Sequence, residues 1–163
     1  MCMSLFKKKT PKNWEFGDKP VVHWNAANTM GKYDPTTVCK IILTQILNIQ
    51  DITLDVYTND KLVSKFDTED VKMSALLDVH PECKHYSLHL RSDIHYFDLL
   101  SIICHEMVHL KQYHNGQLKL EGTTFIWNGI KYEGVPYWYR PWEIEARNEQ
   151  NNIEKQVKKL YYE

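Results

Sequence analysis

The chain has 163 residues, of which 43% are hydrophobic and 25% charged, so it is long enough for one globular domain with a modest core. Its net charge of −1 gives no electrostatic basis for binding nucleic acid or a membrane surface. No apolar run reaches the roughly 18 residues of a membrane span, and the N-terminus lacks the apolar segment of a secretory signal. We expect a cytoplasmic domain over residues 1–163 with reduced cysteines, in which residues 1–31 form an extension packed on the rest.

The first half of the chain predicts one helix and a few strands. Asp34-Pro35 is a helix start signal, because it combines a capping carboxylate with proline in the first turn. Residues 52–57 alternate between apolar and polar side chains, which is typical of a half-buried strand. Residues 71–79 are ambiguous between helix and loop. Residues 87–91 alternate again and predict a strand immediately before the next helix.

Residues 97–113 form the most apolar segment of the chain and predict an amphipathic helix that stops at Asn115-Gly116. Within it lies the sequence His105-Glu106-Met107-Val108-His109. Side chains four residues apart share one face of a helix, so His105 and His109 can bind the same metal ion. Glu106 is then placed beside the metal, where a general base must lie in order to activate water.

A structural interpretation of these residues is also open, in which two histidines border a core and Glu106 faces water. The apolar surroundings argue against it, because three polar groups in such a segment need a reason to be tolerated. A longer zinc pattern would need glycine at position 112 and histidine at position 115, where this chain has Gln112 and Asn115. Other histidines match no metal spacing and are expected at the surface or in packing. They are His80, His85, His89 and His95. His114 lies five residues after His109 and fits no ligand pattern either.

The last third predicts a β-hairpin and a C-terminal helix. Asn128-Gly129 lies between two β-prone runs, which is a strong hairpin signal. Pro141 precedes a charged helix that runs to about residue 161. Glu143 and Glu145 in its first turn favour the helix dipole, but a catalytic zinc also needs a third protein ligand. The expected fold is α+β, with a short mixed or antiparallel sheet packed on an N-terminal helix and the His105–His109 helix.

His105-Glu106-Met107-Val108-His109, followed by Glu143-Ile144-Glu145-Ala146, resembles the gluzincin metallopeptidases, in which the glutamate of an E-x-x-A motif is a zinc ligand. The aromatic hairpin and the segment after it also look like small bacteriophage-encoded peptidases described as SprT-like. The resemblance covers residues 87–148. It implies a zincin-like domain with His105, His109 and Glu143 as Zn²⁺ ligands, Glu106 as general base and Glu145 as the reserve third ligand.

The function this implies is zinc-dependent hydrolysis of peptide bonds in a peptide or protein substrate, in the host cytoplasm if the chain is encoded by a phage. A further donor to the developing oxyanion is expected from the residues that precede Glu143. The candidates are Tyr132, Tyr137, Tyr139 and Arg140. The strand at residues 87–91 is expected to form the edge of the cleft, along which an extended peptide pairs.

Two other functions are compatible with the sequence. The first is a zinc-containing binding or inhibitory module without catalysis, although an intact Glu106 argues for an enzyme. The second is a DNA-associated protease of the SprT type. SprT-like proteins proper use a third histidine, which this chain lacks at a matching position, so nucleic acid is not an expected partner.

Overall fold

Helices and two small β-sheets make up the computed structural model, which describes residues 21–25, 33–59 and 74–161. The first sheet contains β1 (Val21–Asn25), β2 (Thr53–Asn59), β3 (Ala75–His80) and β4 (His85–Arg91). The hairpin sheet contains β5 (Leu118–Glu121), β6 (Thr124–Trp127) and β7 (Ile130–Tyr132). The helices are α1 (Pro35–Ile41), α2 (Tyr96–His114) and α3 (Pro141–Tyr161). The predicted α+β fold is therefore confirmed.

The first sheet is mixed, with strand order β1-β2-β4-β3. β1, β2 and β4 run parallel, and β3 pairs antiparallel with β4. Alternate residues of the inner strands face the helices and are fully buried, because side chains of a strand point to opposite faces in turn. They are Leu54, Val56, Leu88 and Leu90. The opposite face is polar and carries histidines and aspartates.

Two predictions about this sheet were wrong. Residues 75–79 of the stretch predicted as helix or loop form, together with His80, the strand β3. Its Leu76, Leu77 and Val79 are all half-buried, so both faces are partly covered and the sequence lacks the alternation of a half-exposed strand. The predicted strand before α2 exists as β4, but it is not a cleft edge. Both of its edges are already paired, with β2 and β3, so no peptide can add to it.

The predicted N-terminal helix begins where expected. Asp34 caps α1 by accepting a hydrogen bond from the Thr37 backbone N–H at 3.1 Å, and Pro35 occupies the first turn. The helix continues as a π-helical turn at Ile42–Ile46. The part of the predicted N-terminal extension that the structure describes is β1, which joins the sheet and buries Val22. The rest of that extension lies outside the described residues.

α2 packs against α3, α1 and the first sheet, and α3 packs against α2, α1 and the π-helical turn. α3 docks through one face, on which Ala146, Ile153 and Val157 are buried at intervals of seven and four residues. The hairpin between β6 and β7 turns at Asn128 (φ 49°) and Gly129 (φ 81°), which confirms the predicted turn with two positive φ angles. In the sequence this hairpin lies between α2 and α3, and its Trp127 packs against Trp142 at the start of α3.

The described cysteines differ in their redox state. Cys39 and Cys104 are free thiols, as expected, and both are buried. Cys83, in contrast, takes part in a disulfide, so the expectation of a reduced thiol was wrong at that position. Within the described part of the chain, no helix has a stretch long and apolar enough to span a bilayer.

Candidate metal centre

Three side chains converge between α2 and α3. His105 Nε2 lies 3.1 Å from Glu143 Oε2, and His109 Nε2 lies 3.2 Å from the same oxygen. The two histidine Nε2 atoms are 3.1 Å apart. Among the described residues, this is the one group of three potential ligands whose donor atoms come close enough to hold a single metal ion.

The two helices place these groups by simple geometry. His105 and His109 are one turn apart on α2, so their rings meet with centroids 4.8 Å apart at an interplanar angle of 83°. Glu143 lies in the first turn of α3, which begins after Arg140 accepts the first backbone hydrogen bonds. The Glu143 side chain is only 9% exposed. A carboxylate that is this buried needs partners of opposite charge or strong donors, and the two histidines supply them.

The orientation of His109 is fixed by Gln112. The Gln112 amide donates from Nε2 to the backbone oxygen of Trp142 at 3.0 Å. A backbone carbonyl can only accept, so the other end of this amide, Oε1, must face His109. Oε1 lies 2.8 Å from His109 Nδ1 and accepts its hydrogen. The remaining nitrogen, Nε2, is therefore the one that faces Glu143 and is available to a cation.

Gln150 has the corresponding place beside His105. Its Oε1 lies 2.9 Å from His105 Nδ1, and its Nε2 donates to Ser101 Oγ at 2.7 Å. Ser101 precedes His105 by one turn of α2, and Gln150 follows Glu143 by two turns of α3. Each histidine thus receives a glutamine oxygen on the ring nitrogen that points away from Glu143. Partners of this kind hold the ligand rings in protein metal sites.

The electrostatics of the group favour positive charge at its centre. Burial raises the pKa of Glu143, but hydrogen bonds from His105 and His109 outweigh this and hold it well below the usual range. Burial lowers the pKa of His109, but the hydrogen bond and charge of Glu143 outweigh that effect and raise it to about 9. Two imidazole nitrogens and one carboxylate oxygen are also a donor set that suits zinc in catalytic sites.

Glu145, the reserve candidate, lies elsewhere. It accepts a hydrogen bond from Gln117 at 3.3 Å and is 3.8 Å from the Lys111 ammonium. Residues two apart on a helix point in directions about 160° apart, so only one of Glu143 and Glu145 can face the histidines. The structure brings Glu143 to them.

Glu106 is half-buried on α2 next to the group. Burial raises the pKa of its carboxyl. No hydrogen bond or ion pair joins its side chain to another residue in the part of the chain that the structure describes. The carboxylate is therefore beside the three donors and not committed to a structural partner.

One of the four predicted oxyanion donors reaches the group. The hydroxyl of Tyr137 lies near Glu143, and burial together with the charge of Glu143 raises its pKa. It is thus a protonated donor at neutral pH. The others lie differently: the Tyr132 ring packs edge-on against Trp142, Tyr139 is 74% exposed, and Arg140 donates to the backbone oxygen of Val135.

The remaining histidines contact other partners. His114 lies 2.9 Å from Asp51, and His85 lies 2.8 Å from Asp55 on the polar face of the sheet. His80 stacks on His85. His89 is 3.6 Å from Asp78, and His95 caps α2. Each therefore pairs, packs or caps outside the group of His105, His109 and Glu143.

Sequence reasoning did not identify Gln112 or Gln150. A signal existed for Gln112, because it follows His109 by three residues on a predicted helix and lies in an apolar segment, where it is fully buried. Gln150 gave no such signal, since its partner is 45 residues away in the chain.

We also compared the chain with known proteins. No protein-family model, curated protein or solved structure matches it.

Proposed function

We propose that this chain is a zinc-dependent metallopeptidase of the gluzincin type. The observation that carries the proposal is the convergence of two histidine nitrogens and one carboxylate oxygen within 3.2 Å of one another, with both rings oriented by glutamine side chains. Three protein ligands are typical of catalytic zinc, whereas structural zinc sites are usually closed by four. His105, His109 and Glu143 are the proposed ligands.

The residues around this site have complementary roles in hydrolysis. Zinc, when bound, supplies Lewis acidity that polarises a carbonyl and lowers the pKa of water. Glu106 accepts a proton from the attacking water and passes it to the leaving amine, a role for which a carboxyl of raised pKa is suited. Tyr137 donates its hydroxyl hydrogen to the oxyanion that develops on the scissile carbonyl.

The uncommitted carboxylate of Glu106 favours an enzyme over a zinc-containing binding module, which has no use for a base. The proposed substrate is a peptide or protein, as the resemblance to the gluzincin peptidases implies, and the net charge of −1 gives no electrostatic basis for nucleic acid. The cytoplasm remains the proposed compartment. The free thiols of Cys39 and Cys104 support it, and the disulfide of Cys83 is the observation against it.

Metal content tests the ligand set directly. Purified protein is supplied with zinc, dialysed and subjected to elemental analysis, for the native chain and for the variants His109→Ala, Glu143→Ala and Glu145→Ala. We expect one zinc per native chain, loss of zinc in the first two variants, and retention in Glu145→Ala. A native chain that takes up no zinc would refute the proposal, and equal retention in Glu143→Ala would remove that residue from the ligand set.

Catalysis is tested with Glu106→Gln, which keeps the size of the side chain and removes the base. We expect zinc content to stay at the native level while hydrolysis of a fluorogenic peptide library falls by about 10² to 10⁴-fold. Glu145→Gln is the matched control, because it makes the same chemical change in a carboxylate away from the site. Cleavage by Glu106→Gln at the native rate would refute the role of the base.

A further inference from the structure

Three consecutive aromatic residues stand at the surface immediately before α3. Tyr137, Trp138 and Tyr139 form a 3₁₀ turn in which the side chains are 44%, 67% and 74% exposed. Large apolar side chains that are exposed singly are normal in proteins, but adjacent ones often mark a binding surface. This turn contacts α3, the helix that carries Glu143, so it lies beside the candidate metal centre.

Trp138 is exposed but not loose. The guanidinium carbon of Arg147 lies 4.8 Å from the centroid of the indole ring, which is a cation–π contact. Arg147 Nη2 also donates to the backbone oxygen of Trp138 at 2.8 Å. Arg147 lies one turn beyond Glu143 on α3, so the same helix holds both the proposed ligand and the indole. A ring fixed in this way loses little conformational freedom when something binds to it.

Tyr137 connects the indole to the candidate site. Its ring packs edge-on against Trp138, with centroids 5.7 Å apart and an interplanar angle of 85°. Its hydroxyl lies close enough to the Glu143 carboxylate to feel that charge. Tyr137 therefore lies between Trp138 and the converging donors.

We propose that Trp138 determines substrate specificity by binding a large apolar or aromatic side chain of the peptide next to the scissile bond. The inference rests on the proposed function, because it assumes that a peptide substrate bound at the zinc site also contacts this surface. The exposed part of the indole offers an apolar, polarisable surface without a hydrogen-bond acceptor for the ligand. A basic side chain there would meet the positive charge of Arg147, so the chemistry selects against lysine and arginine.

Peptide binding tests this inference without relying on turnover. The Glu106→Gln protein, supplied with zinc, is titrated into four fluorescein-labelled peptides, which have Phe, Ala, Asp or Lys at one position and are otherwise identical. Binding is followed by fluorescence anisotropy. We expect the Phe peptide to bind most tightly. Adding Trp138→Ala is expected to weaken the affinity for the Phe peptide by about tenfold, which is in the range of aromatic anchor residues at interfaces. The affinity for the Asp peptide is expected to change by less than about twofold.

Matched variants separate a direct contact from a general disturbance. Tyr139→Ala removes a neighbouring exposed ring from the same turn and is expected to leave binding of the Phe peptide unchanged. Trp138→Phe keeps an aromatic face and is expected to recover most of the lost affinity. A Phe peptide that binds equally well with and without Trp138, or that does not bind the Glu106→Gln protein at all, would overturn the inference.

The test also separates this inference from the proposed function. Zinc content and hydrolysis by the native chain are measured in parallel with binding. If the native chain holds zinc and cleaves peptides without dependence on Trp138, the proposed function stands and the inference fails. If Trp138-dependent binding of the Phe peptide occurs in a chain that holds no zinc, the apolar surface stands and the peptidase proposal fails.

Discussion

Two clusters in this molecule have the same composition, one carboxylate and two histidines, but different geometry. The helix cluster consists of His105, His109 and Glu143, and the sheet cluster consists of His23, Asp55 and His85. In the helix cluster a single oxygen, Oε2, meets both histidine nitrogens. In the sheet cluster the two carboxylate oxygens each meet one histidine, at 2.9 Å and 2.8 Å.

This difference decides what each cluster can bind. When each histidine has its own oxygen, pairwise hydrogen bonds complete the arrangement, and the sheet cluster is a polar cross-strand contact. When two nitrogens and one oxygen meet at a point, one cation can serve all three donors at once. The residue types in a cluster therefore say less about metal binding than the number of donor atoms that share a point in space.

The largest expected effect comes from removing the carboxylate of each cluster in turn. Glu143→Gln is expected to lower zinc affinity by more than about a hundredfold, because a charged ligand is lost. Removing a residue that only orients a ligand already lowers metal affinity by about 10- to 100-fold. Asp55→Asn is expected to leave affinity unchanged. Competition with a zinc-sensitive fluorescent chelator measures both. Equal losses in the two variants would contradict the distinction between the clusters.

A smaller effect is expected from the partner of His109. Gln112→Leu removes the oxygen that orients the ring and is expected to weaken zinc binding by about 10- to 100-fold, in the same competition assay. Gln112→Glu keeps an acceptor for His109 Nδ1 and is expected to retain more affinity than leucine. Gln117→Leu is the control, because its side chain contacts Glu145 and not the cluster. A native affinity in Gln112→Leu would show that the ring needs no such support.

The smallest effect concerns stability and the sheet cluster. Burial raises the pKa of Asp55, but hydrogen bonds to His85 and His23 outweigh this and lower it. A carboxyl whose pKa is lowered by folding stabilises the native state above its unfolded pKa, near 4, and this contribution is lost as pH falls through the folded value. We expect Asp55→Asn to cost about 1 kcal/mol at pH 7 and less at pH 3. Urea unfolding of both proteins at the two pH values measures this, and a constant difference would contradict it.

Local patterns were sufficient for part of this structure. The spacing of His105 and His109 on a helix, the capping of α1 by Asp34 and the turn at Asn128-Gly129 each depend on residues within a few positions of one another. Such features follow from helix periodicity, a capping hydrogen bond and positive φ angles, which the sequence displays directly.

Other features depend on residues far apart in the chain. Whether Glu143 or Glu145 faces the histidines depends on how α3 is rotated about its own axis. The apolar residues of α3 are too sparse in the sequence to predict that rotation. The strand β3 lacks alternation, because both of its faces are partly covered. The inner position of β4 follows from the order of strands, and no pattern within residues 87–91 reports it. Gln150 acquires its role only when the helices pack.

The glutamine hydrogen bonds have an entropic consequence. Gln112 joins α2 to the backbone of Trp142, and Gln150 joins α3 to Ser101, so the rings of His105 and His109 are held by both helices. Their rotamer freedom is lost when the chain folds, not when an ion arrives. Immobilising such a side chain costs about 0.5–1.5 kcal/mol of free energy. When the side chains are already ordered in the folded protein, this cost does not reduce the free energy of ion binding. If His105, His109 and Glu143 bind zinc as proposed, the ordering of their side chains during folding favours that binding.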